Sequence, residues 1–255
     1  MKPRPRLWDL LRLGGVMALT FVVIFLYYTY GLILPYSGAA GIVVESTLLA
    51  LGLAGAHFTG ILRKVQAWDS LALLEVSLVV GYFIVITGVL SSNGPNQMAA
   101  LPTILTYLLV AVSEETLCRG YVLGTIEKLW PSKQGGLAAV FGSSIYFMLL
   151  HVERFTVGGF FHVSTIVNDL LAVLIPGLVL GLMYYITYHN LALTITTHFY
   201  WDAFAPLLTF PVLLNGNVLW ILVFGLPLGA VLIVRSLAGR RGIAQSQVSG
   251  QTGNN

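Results

Sequence analysis

Residues 101–124 read LPTILTYLLVAVSEETLCRGYVLG and place three charged side chains, Glu114, Glu115 and Arg119, inside a long apolar stretch. A charge near the centre of a membrane helix costs roughly 2.5–3.5 kcal/mol on insertion. Such residues therefore face protein or water, and they usually have a function. The stretch predicts a membrane helix that carries a functional site, with the other apolar segments as its neighbours.

The composition places the whole chain in the membrane class. Of its 255 residues, 57% are hydrophobic and 9% are charged, whereas soluble domains are about 25% charged. The single cysteine, Cys118, excludes an intramolecular disulfide framework and a zinc site built from several cysteines. The net charge of +3 indicates basic cytoplasmic loops rather than a nucleic-acid surface, so we expect no nucleic-acid partner.

Eight apolar segments approach the length of about 20 residues that a membrane span needs. Their approximate bounds are 13–35, 39–62, 69–90, 101–130, 135–153, 167–188, 190–210 and 217–235. Turn-forming stretches such as 34–38, 63–69 and 210–217 separate them, and 151–169 is ambiguous. We expect an all-α polytopic membrane protein, with residues 1–238 as one transmembrane domain and 239–255 as a polar, disordered tail.

The placement of lysine and arginine predicts the orientation. With both termini in the cytoplasm, eleven of the thirteen basic residues lie on the cytoplasmic side. Arg119 lies within a span, and Arg154 alone falls on the outer side. We therefore expect a multi-pass protein of the cell membrane, surrounded by lipid, and the short loops favour a bacterial plasma membrane.

Glu114 is the charged residue of the first motif that has no evident partner on its own helix. Residues four apart share a helix face, so Glu115 and Arg119 can form an ion pair. Glu114 points about 100° away from Glu115. A carboxylate in a low-dielectric site suits a general base. The alternative is that all three charges form a structural network that joins helices.

His151 is predicted to lie level with Glu114 in the membrane. Sixteen positions separate Glu114 from the turn at Trp130, and sixteen separate Gly135 from His151. At about 1.5 Å per residue, the two side chains reach the same depth on adjacent helices. Taken alone, a histidine near a membrane interface is more often a packing residue than a catalyst.

The seventh span contributes His198 and Asp202, which are four residues apart and share a helix face. An acidic residue this deep in an apolar segment again requires a reason. Asp202 either fixes the tautomer of His198 or carries a proton and acts as a donor. A self-contained pair that bridges two helices is the structural alternative.

Glu114, His151, His198 and Asp202 together offer the groups that peptide hydrolysis needs, a base for water and donors for an oxyanion. The same four side chains would be the ligands if a zinc ion were present. The chain lacks HExxH, the spacing that supplies two zinc ligands and a base from one helix. We therefore expect no cofactor, with zinc as the alternative.

Three motifs in this order resemble those of the type II CAAX prenyl endopeptidase family, in the CPBP group of CAAX proteases and bacteriocin-processing proteins. They are EExxxR at 114–119, FxxxH from Phe147 to His151, and HxxxD at 198–202, and the resemblance covers about 100–205. It implies an eight-helix intramembrane endopeptidase with a cavity open toward the cytoplasm. The implied substrate is a membrane-associated peptide or lipidated protein, of which a prenylated CAAX protein is one form.

The resemblance also implies roles for the motif residues. Glu114 and His151 would activate water, while His198 and Asp202 would form the oxyanion site. The supporting residues would be Glu115, Arg119 and Phe147. Asparagine is frequent at the last position in CAAX-processing enzymes, whereas Asp202 donates a hydrogen bond only when it is protonated. A glutamate-type mechanism is favoured over a metalloprotease because no third histidine completes a zinc set, although Asp202 could complete it.

Two other classes of function stay open at this point. A non-enzymatic membrane protein, such as a bacteriocin-immunity or scaffold factor, would have the same fold without needing the base. A proton-coupled transporter would use the carboxylate and histidines as a relay. Against a transporter, the sequence has no detectable halves with matching broken helices.

Overall fold

The computed structural model describes residues 7–31, 39–59, 70–91, 101–151, 163–204 and 224–251. Within these ranges the regular structure is entirely helical, so the all-α prediction is confirmed there. The elements are α1 (Leu7–Gly31), α2 (Ala39–Thr59), α3 (Ser70–Ser91), α4 (Leu101–Glu115), a π-helical segment (Thr116–Leu123), α5 (Gly124–Leu129), α6 (Lys133–Leu150), α7 (Val163–Ile186), α8 (Leu191–Phe204) and α9 (Leu226–Gln251).

The helices overlap the eight predicted apolar segments with different ends, most of all in α9, and α4, the π-helical segment and α5 together form one continuous rod. Among the residues that the structure describes, two helices contain apolar stretches long enough to cross a membrane, Leu7–Leu26 and Gly41–Phe58. Shorter apolar helical stretches cover Leu71–Val85, Leu170–Ile186 and Leu226–Ala238. These fit a membrane protein, while the count of eight spans and the side of each terminus stay predictions.

Some predicted features lie outside the described residues. They include the breaks at 34–38, 63–69 and 210–217, most of the ambiguous region 151–169, and Arg154. In the structure α9 continues to Gln251 and so includes part of the segment from residue 239 for which the sequence predicts disorder; the disorder stays a prediction. Past Pro227 no proline interrupts this segment, and its alanine, arginine and glutamine residues favour a helix.

Two glycines of α2 allow close packing against the π-helical segment, all of whose residues are buried. A Cβ atom at Gly52 would lie 3.1 Å from the backbone of Leu117, and one at Gly55 would lie 2.7 Å from the ring of Tyr121. Small residues let membrane helices approach each other in this way. The approach fixes α2 beside the part of the chain that carries the first motif.

The predicted turn after α5 is present at residues 130–132. The side chain of Ser132 accepts a hydrogen bond from Gly135 N at 3.0 Å and so caps the start of α6.

From this turn α6 packs along α7, where Gly177 and Gly181 meet the side chains of Ser144 and Val140. On the other side, α4 packs between α2 and α8. The three motif-bearing helices thus lie in the middle of the bundle.

Candidate active site

The side chains of the three motifs meet around one carboxylate oxygen. Glu114 Oε2 lies 3.9 Å from His151 Nε2 and 3.7 Å from His198 Nε2. Asp202 Oδ2 lies 3.5 Å from His198 Nε2. Glu114, His151 and His198 are all buried. The structure therefore brings together Glu114 and His151, the two side chains that the hairpin count placed at one depth.

The backbone of α6 sets the tautomer of His151. Its Nδ1 lies 2.8 Å from the carbonyl oxygen of Phe147, four residues earlier. A carbonyl only accepts, so Nδ1 carries the proton and donates it. In the neutral ring Nε2 is then an acceptor, and this atom faces Glu114. The FxxxH spacing thus leaves a basic nitrogen beside the carboxylate.

His198 is oriented by Glu115, which the sequence had paired only with Arg119. Its Nδ1 lies 2.9 Å from Glu115 Oε1, and the same oxygen accepts from Arg119 Nη1 at 2.8 Å. Asp202, considered above as the partner that fixes the ring, instead lies nearest Nε2. Glu115 is therefore the common partner of the guanidinium and the second histidine.

Arg119 extends this network to two further helices. It is fully buried, and its Nη2 donates to the carbonyl oxygen of Gly177 on α7 at 2.9 Å. Its guanidinium also lies 4.6 Å from the ring centroid of Phe147 on α6. The ring of Phe147 in turn contacts His151 and His198, at centroid distances of 4.8 and 5.7 Å. The ring of Phe147 thus packs against both histidines and the arginine.

A carboxyl group from α2 reaches the residue that precedes Glu114. Ser113 donates a hydrogen bond to Glu45 Oε2, and both side chains are buried. Ser113 Oγ also lies 2.9 Å from the carbonyl oxygen of Val110. Glu45 is an acidic residue within the predicted span 39–62. Its actual partner on α4 could not be identified without the packing of α2 on α4.

The described residues contain no group of three or more His, Cys, Asp or Glu side chains arranged to hold a metal ion. The zinc alternative at Glu114, His151, His198 and Asp202 stays a prediction.

The helices that carry the three motifs are similar to a known protein family. Residues 96–204 match the family described as type II CAAX prenyl endopeptidase Rce1-like. These residues belong to that family. The matched region contains all three motifs and agrees with the range of about 100–205 inferred from the sequence. No curated protein and no solved structure matches the chain.

The match to the Rce1-like family, which covers less than half of the chain, has three implications. The family consists of endopeptidases, so a protein or peptide is the implied substrate. Its members are embedded in membranes, which agrees with the apolar helices α1 and α2. The match covers α4 to α8, and thus every element that contributes a side chain to the cluster around Glu114.

Proposed function

We propose that this protein is an intramembrane endopeptidase in which Glu114 activates water for attack on a peptide bond. The supporting observation is that Nε2 of His151 and of His198 both lie within 4 Å of Glu114 Oε2. These separations exceed a direct hydrogen bond, yet a water about 2.8 Å from two such atoms fits between them.

The water would be held by two acceptors. The carboxylate of Glu114 accepts one proton in a hydrogen bond, and Nε2 of His151 can accept the other, since its Nδ1 proton is directed to Phe147 O. The oxygen lone pair is then free to attack the carbonyl carbon while Glu114 takes the proton. Returning that proton to the amine completes cleavage.

The oxyanion that forms would be bound by His198 and Asp202. With Nδ1 directed to Glu115, His198 has Nε2–H to offer only in the imidazolium form. The carboxylates of Glu115 and Glu114, at 2.9 and 3.7 Å from the ring nitrogens, stabilise that cation. Asp202 supplies a second donor when protonated. Loss of one such donor lowers kcat by about 10²–10³.

Substrates associated with the membrane suit a site buried among helices, and prenylated CAAX proteins are the first class to test. The assay uses purified protein in liposomes with a fluorophore–quencher peptide ending in a CAAX sequence, with and without a farnesyl group on its cysteine. We expect cleavage of the farnesylated peptide and its loss in Glu114→Ala and Glu114→Gln. Activity retained in both variants would exclude the proposed mechanism.

The same assay separates this function from its alternatives. A scaffold or immunity factor would cleave neither peptide, and its phenotype would survive both substitutions at Glu114. A transporter would instead give proton-coupled uptake in the same liposomes, which the substitutions would abolish. Equal cleavage of both peptides would support a protease that does not require the prenyl group.

A further inference from the structure

A second polar cluster lies outside the three motifs and joins three helices where α8 begins. We call Glu75 on α3, Asn190 before α8 and Arg235 on α9 the α8 anchor. Arg235 Nη2 donates to Glu75 Oε2 at 3.0 Å, and Arg235 Nε donates to Glu75 Oε1. Asn190 Nδ2 donates to Glu75 Oε2 at 3.1 Å. Glu75 is fully buried, so its carboxylate is matched by a charge and an amide.

Asn190 has two tasks at once. Its side-chain oxygen accepts a hydrogen bond from Leu193 N at 3.2 Å and so caps α8. Its amide nitrogen holds α3, through Glu75 and through the carbonyl oxygen of Ala72 at 3.3 Å. One side chain therefore joins the first turn of α8 to α3. His198 lies eight residues further along the same helix, about 12 Å along its axis.

The turn before Asn190 is also held from several sides. Tyr188 and His189 have φ angles of 52° and 74°, a region that residues other than glycine rarely adopt. Nε2 of His189 lies 2.6 Å from Glu127 Oε2 on α5. Arg235 donates to the carbonyl oxygen of Thr187 at 3.0 Å and lies over the ring of Tyr188. These contacts make the position of the turn, and hence the start of α8, depend on α5 and α9.

We propose that Asn190 is a positioning residue for the reaction, which it affects by fixing α8, and His198 with it, relative to Glu114. This inference rests on the proposed function. The argument is geometric, since His198 must reach Glu115 with Nδ1 and keep Nε2 3.7 Å from Glu114. A displacement of about 1 Å at a catalytic group can lower the rate by about 100-fold.

The test separates capping from anchoring. Asn190→Asp keeps an oxygen for the cap but replaces the amide donor by a carboxylate that faces Glu75. We expect kcat on the farnesylated peptide to fall by about 10- to 100-fold, with KM little changed. The double variant Asn190→Asp with Glu75→Gln exchanges amide and carboxylate, and we expect it to recover part of the loss, since the amide in Glu75→Gln no longer offers a charged partner to Arg235. The matched control is Ser132→Ala, which removes the cap of α6 without touching the anchor and should leave kcat unchanged.

Hydrogen exchange supplies a readout that does not depend on activity. Asn190→Asp should accelerate exchange over Leu191–Phe204, whereas Ser132→Ala should accelerate it only at the start of α6. Unchanged exchange in α8 would overturn the anchor, whether or not the wild type cleaves the peptide. Faster exchange in α8 with wild-type kcat would overturn the positioning role, as would a double variant no more active than the single one. A failure of the proposed function gives different results. In that case either Glu114→Gln remains active or the wild-type protein cleaves no peptide.

Discussion

Glu115 and Glu114 are neighbours in the chain, yet their replacement by glutamine should have different consequences. Glu115 Oε1 accepts from both Arg119 and His198, at 2.8 and 2.9 Å. The nearest ring nitrogens to Glu114 Oε2 are at 3.7 and 3.9 Å. We therefore expect Glu115→Gln to lower stability strongly and activity moderately, and Glu114→Gln to abolish activity with little effect on stability.

The expected losses of stability and of kcat follow from the contacts of the two glutamates. Removing one partner of a buried ion pair costs about 3–5 kcal/mol, because the other charge is left uncompensated. At about 2–4 °C per kcal/mol, the thermal midpoint of Glu115→Gln should fall by about 10 °C. A hydrogen bond from His198 to a neutral amide is weaker than one to a carboxylate by about 1–1.5 kcal/mol, which lowers kcat about tenfold. Glu114→Gln should lower kcat by about 10²–10⁴.

Both quantities are measured on the same preparations, the thermal midpoint in detergent and kcat with the farnesylated peptide. Glu115→Asp is a matched control that keeps the charge on a shorter side chain, and it should recover part of the stability. A wild-type midpoint in Glu115→Gln would refute the ion-pair argument. A variant of Glu115 as inactive as Glu114→Gln, with stability intact, would mean that the two roles are assigned to the wrong residues.

Three further predictions concern the oxyanion site, the metal and the helix packing. Asp202→Asn should keep wild-type kcat because an amide always offers a donor, whereas Asp202→Leu should lose about 10²–10³ in kcat; equal loss in both would make the carboxylate itself essential. Zinc analysis of the purified protein should find far less than one ion per chain, and stoichiometric zinc lost with His151→Ala would overturn the glutamate-type mechanism. Gly52→Ala should lower stability by about 1–3 kcal/mol through overpacking on Leu117, while Gly14→Ala, where a Cβ meets nothing within 4 Å, should leave the thermal midpoint unchanged.

The sequence predicted those features that have a local signature. Glu114, His151 and His198 were conspicuous because each is a titratable residue within an apolar segment, and counting residues from Trp130 was enough to place two of them at one depth. The helical segments followed from their length and from the breaks between them. These patterns depend on composition and helix geometry alone.

Features that depend on which helices pack together were not predictable in this way. The bond from His198 to Glu115 joins residues 83 positions apart, and that from Arg235 to Glu75 joins residues 160 apart. The carbonyl of Gly177 offers no side chain for a pattern to detect. Glu75 is an acidic residue within an apolar segment, and its partners Asn190 and Arg235 are known only once α3, α8 and α9 are placed.

The π-helical segment also sets the rotation of α5 about the helix axis relative to α4. Its wider turn changes the direction in which α5 side chains point relative to those of α4, so that Glu127 meets His189 while Glu114 and Glu115 face His151 and His198. A π-bulge carries an extra residue within an α-helix, so deleting one residue between Thr116 and Leu123 would convert the segment towards regular α geometry. Inserting a further residue would instead rotate Glu127 relative to Glu114 by about 100°. Insertions here should therefore be far less tolerated than in the loops, because they would separate Glu127 from His189 or Glu114 from the histidines.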